Sequence, residues 1–570
     1  MHRQGPAGYE LETRWVGGLP LINAVLDRLH VVPLLARTLP TADPRSPVPP
    51  GGVLGVILRN IVCNARRPVY SLPDWVRQAE PTLLEVTADD VRALNDDRLG
   101  RALDHLFRAD RAALLTALVL RAVQAFHIDL DQLHNDSTSI TFSGAYAGAD
   151  GRPVAGIPTV RIVHGHNKDH RPDLKQLLFV LTVAADGAVP LHVRVLDGNT
   201  EDSTTHIATW EMLCKLAGKR DFLYVADSKL CARETLAHID QHHGRFITVL
   251  PRSRREDRWF RQFVQTQVPA WAEVLRRPHP RRRTGPEDVW RVVEAPLPSK
   301  EGYRIIWVWN SLMATHDAEV RQARIERAWA ALQALQAKLA GPRCRMRSRA
   351  RMEAAAKAIV HTAGAISWIA YEIEERREPL FRQDRRGRPG HTTRYVRGER
   401  VRFTVTFQTR PEAIKREAQC DGLFPLLTNC RDLTPKAILE AYKFQPRLEK
   451  RLEQLKSIEE VRPVFLKTAR RIEALLFLYF IALLVQALLE RDVRLAMERT
   501  GVKMLPLYPE QRKCRAPSAA RILEEFAALQ RHRLYERGQL VQTFEPDLTD
   551  LQRQLLGLLD IPASAFRATT

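Results

Sequence analysis

At 570 residues and 65.0 kDa the chain is too long for one compact core, because single cores stop growing near ~250–300 residues, so several domains are expected. Lys plus Arg number 87 against 66 Asp plus Glu, and the net +21 points to a polyanionic partner, nucleic acid first. A hydrophobic share of 45% with 28 Gly and 35 Pro excludes collagen-like and largely disordered chains, and seven scattered cysteines without a C-x-x-C pair read as reduced thiols.

In chain order, residues 1–125 form the first expected domain. They open without a secretory or transit pattern, which predicts a cytoplasmic protein. From Leu19 onward the apolar residues recur at helical spacing, so this domain is expected to be all-helical. The period changes in 126–251. FHIDLDQLHNDSTSITF alternates, LKQLLFVLTVAADG and AVPLHVRVLDGN follow around an Asp186-Gly187 turn, and the order β-β-β-α-β-α-β results. Residues 252–433 mix strand-like segments with a helix over 317–340 whose Ile325, Ala328, Leu332, Leu335 and Leu339 make a seam for a partner helix. Two stretches there, 252–283 and 376–402, carry ten arginines each against three acids each. Helices return in 434–500, including an unbroken apolar run over 474–485. Twelve apolar residues fall short of the ~20 needed to span a bilayer, so this run predicts a buried core helix and no membrane partner. Two further helical patterns make 501–570 a helical C-terminal region.

Asp136, in HNDSTS, ends the first alternating strand, and Asp227, in VADSKL, ends the fourth. In this order the first and fourth strands lie side by side, which brings the two carboxylates together, and hard Mg²⁺ suits such oxygen donors. The plain alternative is that each Asp caps a turn beside Ser137 or Ser228. Glu449 follows Pro446, which belongs in a first helical turn, and Lys456 returns to the same helix face seven residues later. A helix start favours an ionised carboxylate. The alternative there is an exposed Glu/Lys helix face. His164, His166 and His170 offer a competing zinc cluster, His242-His243 reads as a polar helix end, and Asp202 as an N-cap or as a carboxylate beside the metal-holding acids.

Tyr442, two residues, Gln445, three residues, Glu449, six residues and Lys456 resemble the Y-(2)-R-(3)-E-(6)-K signature of bacterial insertion-sequence transposases of the DDE class, with Gln445 in place of Arg. The blocks LNDDRLGRALD, HNDSTSITFSGAY, GHNKDHRPDLKQ, DGNTEDSTT and the stretch over 462–494 are similar to that family in order and spacing. The resemblance implies an α/β fold: a ribonuclease-H-like mixed-sheet core over 126–251 and 434–500, interrupted by a β-rich insertion with a helical segment over 252–433, and preceded by a helical domain that recognises element ends. The spacings accord with it. Asp136 to Asp227 is 91 residues, and the 222 residues from Asp227 to Glu449 require an inserted domain.

By the same resemblance, Asp136, Asp227 and Glu449 hold two Mg²⁺ (or Mn²⁺) ions for cleavage at element ends and strand transfer into target DNA. Tyr442, Gln445, Lys456, Lys168 and Arg171 meet DNA near those carboxylates, Arg385, Arg386 and Arg388 grip it from the insertion, and a homodimer pairs two ends of double-stranded DNA. Two other readings share these residues: a structure-selective metal-dependent nuclease, and a catalytically silent DNA-binding protein.

Overall fold

The computed structural model describes all residues except 1, 5–7, 40–47, 64–70, 280–284, 342–343, 345–347, 459–465 and 569–570. The arginine run 281–283 and the first residues of the 462–494 block thus lie outside the described residues. The chain is a mixed α/β protein that divides into two compact units, one made of residues 1–248 and 440–570, the other of residues 249–439. The stretch 252–433, expected as an insertion, falls within the second.

In the first unit, helices run from Leu19–Leu29 to Arg111–Phe126, and their starts show why they begin where they do. Thr87 forms a reciprocal capping box with Asp90, Asn95 accepts the N–H of Arg98, and Asp110 accepts the N–H of Ala113. The core then follows as β1 (Gln132–Phe142), β2 (Lys175–Ala184), β3 (Pro190–Asp197), α1 (His206–Ala217), β4 (Leu223–Ala226), α2 (Arg233–Gln241) and β5 (Arg245–Val249), the order expected from the sequence. Its sheet runs β3-β2-β1-β4-β5, antiparallel on the β3 side of β1 and parallel across β1, β4 and β5. β2 is apolar on both faces because helices and neighbouring strands bury it throughout.

The second unit contributes a four-stranded antiparallel array of β6 (Ala272–Arg277), β7 (Asp288–Glu294), β8 (Arg304–Asn310) and, after a long excursion, β11 (Leu423–Thr428), in the order β11-β8-β7-β6. The excursion is a helical hairpin, α3 (Ser311–Ala340) and α4 (Arg349–Thr362), followed by a two-stranded ribbon, β9 (Ile369–Gln383) and β10 (Tyr395–Thr409), paired over fifteen residues a side. The predicted seam is the packed one: Ile325, Ala328, Leu332, Leu335 and Leu339 meet Met352, Ala356 and Val360, and the base of the ribbon closes over them with Ile373, Phe403 and Val405.

Back in the first unit, α5 (Gln445–Ile458) lies against β1 and β2, and α6 (Ala469–Thr500) forms the unit's centre. α6 is long and apolar enough to cross a membrane by composition, and its most apolar window is wholly buried inside the protein. Its neighbours include the helices Pro50–Val62 and Asp96–Arg108 and strand β3. Its buried ends are neutralised by ion pairs, Arg451 with Glu490 at 2.7 Å and Arg111 with Glu473 at 3.2 Å.

Two expectations need correction. Residues 1–125 are not all helical: Tyr9–Trp15 is a strand, paired antiparallel with Gln530–Glu536 and flanked by His2–Gln4. Residues 501–570 hold the two expected helices, Ala519–Phe526 and Asp550–Leu559, but are not purely helical, since they also hold the hairpin Gln530–Glu536 and Gln539–Phe544 and the short pair Leu505–Tyr508 and Arg512–Cys514. The two chain ends share one sheet, fixed beneath by Arg531, which is 1% exposed and pairs with Glu80 at 3.1 Å.

Candidate active site

The parallel pairing of β1 with β4 matches Gln132 to Leu223 and Asn135 to Ala226, so the next residues, Asp136 and Asp227, are neighbours at the end of β4; Asp227 ends its strand as expected, whereas Asp136 does not, because β1 continues to Phe142 and pairs Asp136 with Leu181 of β2. Backbone groups aim each carboxylate. Asp136 Oδ1 accepts the N–H of Ser137 at 2.7 Å, and Asp227 Oδ1 accepts that of Lys229 at 3.0 Å as it opens a short turn. Thr248, on β5, donates to the Asp227 carbonyl at 2.6 Å. The turn-capping alternative is therefore met at Asp227, whereas Asp136, inside β1, caps no turn.

Glu449 reaches this end from α5, one turn after Pro446. The seating of α5 depends on Gln445, which is buried. Its Oε1 lies 3.0 Å from His134 Nδ1 and its Nε2 donates to the Asn135 carbonyl at 3.2 Å, which ties the start of the helix to the residue before Asp136. Phe444 packs on the His134 ring at 4.7 Å. Gln445 is thus engaged inside the protein, away from where a phosphate could approach.

The electrostatics bring the group together. Burial, with the carboxylates of Asp227 and Glu449 adding to it and Lys168 opposing, pushes the Asp136 carboxyl up to about 6. Burial likewise raises Asp227. The Tyr442 phenol is raised by burial and then by Asp227, Glu449 and Asp136 together, which keeps it a neutral O–H. Three carboxylates therefore act on one phenol. Their oxygens do not all lie within 4.8 Å of one another.

Lys168 sits among these acids. Its Nζ donates to the Ser137 carbonyl at 2.8 Å and to Ser137 Oγ at 2.7 Å, and lies 3.0 Å from Asp202 and 3.7 Å from Asp136. Asp202 opens a turn, as expected, but its carboxylate serves Lys168 and caps no backbone N–H in that turn. Of the two sequence readings of Asp202, the N-cap is not met, and its carboxylate lies instead against the ammonium that also faces Asp136. The loop carrying Lys168 is shaped by Asn167, whose Oδ1 accepts the N–H groups of Asp169 and Arg171 at 2.8 and 3.1 Å. It also needs Gly165, where a Cβ would lie 1.9 Å from the Gly198 carbonyl oxygen.

Lys456, one helical face with Glu449, pairs with Asp169 of that loop. Arg171 is exposed and forks onto Asp173 at 2.8 and 2.7 Å. His164, His166 and His170 do not gather around a common point among the described residues. Arg385, Arg386 and Arg388 are exposed at the tip of the β9–β10 ribbon, in the other compact unit. They have no ion-pair partner among the described residues, whereas Arg254, Arg261, Arg276 and Arg277 of the first arginine-rich stretch are paired with acids.

Residues 11–120 match a family described as a domain of unknown function (DUF4277), a domain family found in transposase-like proteins. The match covers most of the strand Tyr9–Trp15 and nearly all of the helical region before β1. No curated protein matches the chain.

Proposed function

We propose that the protein is a DDE-class DNA transposase that cleaves element ends and joins them to target DNA. The observation that supports this reading is that Asp136 and Asp227 stand side by side on adjacent parallel strands and, with Glu449 near a helix start, all act on the Tyr442 phenol. Mutual repulsion among such clustered carboxylates is relieved by cations, and all-oxygen donors favour Mg²⁺ or Mn²⁺ over zinc. The three carboxylates would hold two such ions, which supply Lewis-acid activation of an attacking oxygen and stabilisation of a leaving one.

The remaining roles belong to the chain's own groups. Lys168 balances the acids and presents an ammonium at the mouth of the site. Lys456, on the Glu449 face, meets a phosphate when its partner Asp169 is displaced. Tyr442, held neutral, donates a hydrogen bond and does not attack. Gln445 positions α5. The arginines at the ribbon tip bind duplex phosphates without regard to sequence, and a homodimer pairs two ends. Restoring Arg at position 445 would put a guanidinium in a closed pocket, so the signature's departure there belongs to packing.

The test uses the purified chain, duplexes bearing the inverted repeats that flank its gene, and Mg²⁺. Nicking together with 3′-end joining is expected. Asp136→Ala, Asp227→Ala and Glu449→Ala should each abolish both reactions while gel-shift binding stays near the parent's. Cutting without joining would replace the reading with a nuclease, and binding without metal-dependent cutting would replace it with a silent DNA-binding protein.

A further inference from the structure

A second group of metal-ligating side chains lies on the helices of the core, and the proposed reaction makes no use of it. We propose that Glu211 of α1, with His238 and His242 of α2, forms a zinc-class metal site that clips the two helices together. Among the described residues these are the only three His, Cys, Asp or Glu side chains whose ligand atoms all fall within 4.8 Å of one another.

The geometry follows from helix spacing. His238 and His242 are one turn apart on the same face of α2, and their ring centroids lie 4.3 Å apart. His242 closes the helix as the sequence suggested, and the manner of closing matters. Its Nδ1 donates to the His238 carbonyl at 2.7 Å, which leaves Nε2 with its lone pair free. An imidazole whose other nitrogen is fixed by a backbone carbonyl is the arrangement that orients metal-binding histidines. His238 Nε2 lies 2.8 Å from Glu211 Oε1, so these two atoms already point at one spot. When a divalent ion enters there, the neutral His238 ring carries its single proton on Nδ1 instead of Nε2, and the Nε2 lone pair and Glu211 Oε1 both become ligands.

Trp210 walls one side of the site, with its ring 5.8 Å from His238 and 6.2 Å from His242. The three ligands are half-buried, so the other side is open to water, which supplies the remaining coordination position. Arg220 is the competing cation, 3.9 Å from Glu211 and over the Trp210 ring at 5.7 Å. It is 47% exposed and free to swing away. Two imidazoles and one carboxylate are borderline donors that favour Zn²⁺, and Mg²⁺ binds them poorly, so the site is chemically distinct from the carboxylate group around Asp136.

Zinc titration of the metal-free full chain against a chromophoric chelator tests this. One equivalent is expected to bind to the parent and to Asp136→Asn/Asp227→Asn alike, and to raise the melting temperature of both. His242→Ala and the milder Glu211→Gln should each weaken that equivalent at least tenfold and remove the zinc-dependent rise in melting temperature. Their melting curves in chelator should stay close to the parent's, which separates ligand loss from misfolding. No tight equivalent in the parent, or parent-like zinc affinity in both variants, would overturn the proposal. So would loss of zinc binding in Asp136→Asn/Asp227→Asn with retention in the histidine variant.

Discussion

Asp136 keeps its proton to about pH 6 because the fold removes it from water and sets two other carboxylates beside it. Its folded pKa thus lies above the unfolded ~3.9, and between those values the folded chain binds more protons than the unfolded one. Stability from this residue is present at low pH and lost as pH rises from about 4 to about 6, a loss of roughly 3 kcal/mol in order of magnitude. A cation between the carboxylates restores it. Mg²⁺ should therefore raise the melting temperature clearly at pH 7.5 and little at pH 5, and Asp136→Asn should lose most of that contrast. Equal Mg²⁺ shifts at both pH values would detach Asp136 from the metal. Lys456 is a second residue-scale case. Its pair with Asp169 is partly exposed, and such pairs contribute ~0–1 kcal/mol. Lys456→Ala should barely change stability yet slow single-turnover cleavage tenfold or more, about 1.4 kcal/mol of barrier. A parent-like rate would reduce Lys456 to a loop tether.

Helix α5 and the β9–β10 ribbon show what an element-scale reading can and cannot recover. The alternation of β1, the short apolar β4 and their order in the chain were enough to place Asp136 beside Asp227. The step of seven residues likewise put Lys456 on the Glu449 face. Gln445 was not legible in this way: a polar residue at a helix start reads as surface, and only β1, some 310 residues away, supplies the His134 and Asn135 partners that bury it. Gln445→Leu should leave those groups unpaired and lower stability by ~1–3 kcal/mol. Gln445→Arg, although it restores the signature, should also destabilise, and a denaturant melt above the parent's would refute the packing role. On the ribbon, the packed residues Ile373, Phe403 and Val405 stabilise its base, and the tip exposes its arginines with Phe381, Tyr395 and Val396. Neutralising Arg385, Arg386 and Arg388 together should leave the melting curve in place and flatten the log K against log salt slope by about 0.9 for each phosphate that is no longer neutralised. An unchanged slope would make the tip a solvated loop.

At the scale of the whole chain, the least legible feature was the sheet formed by its two ends. Tyr9–Trp15 alternates apolar and polar residues, but it stands alone before a helical stretch, and its partner Gln530–Glu536 lies more than 500 residues on. No local period encodes a pairing at that distance. The second unit, by contrast, is continuous in sequence from 249 to 439, and the length of chain between Asp227 and Glu449 was enough to call for a domain there. The shared sheet also has a consequence in time. A ribosome adding ~5–20 residues per second takes roughly half a minute to two minutes to travel from the first of those strands to the second. During that interval the insertion can fold while the first unit stands open, with Asp136 and Asp227 made and Glu449 still unwritten. Whatever chemistry the carboxylates perform is thereby withheld from every copy of the chain that has not yet received Glu449.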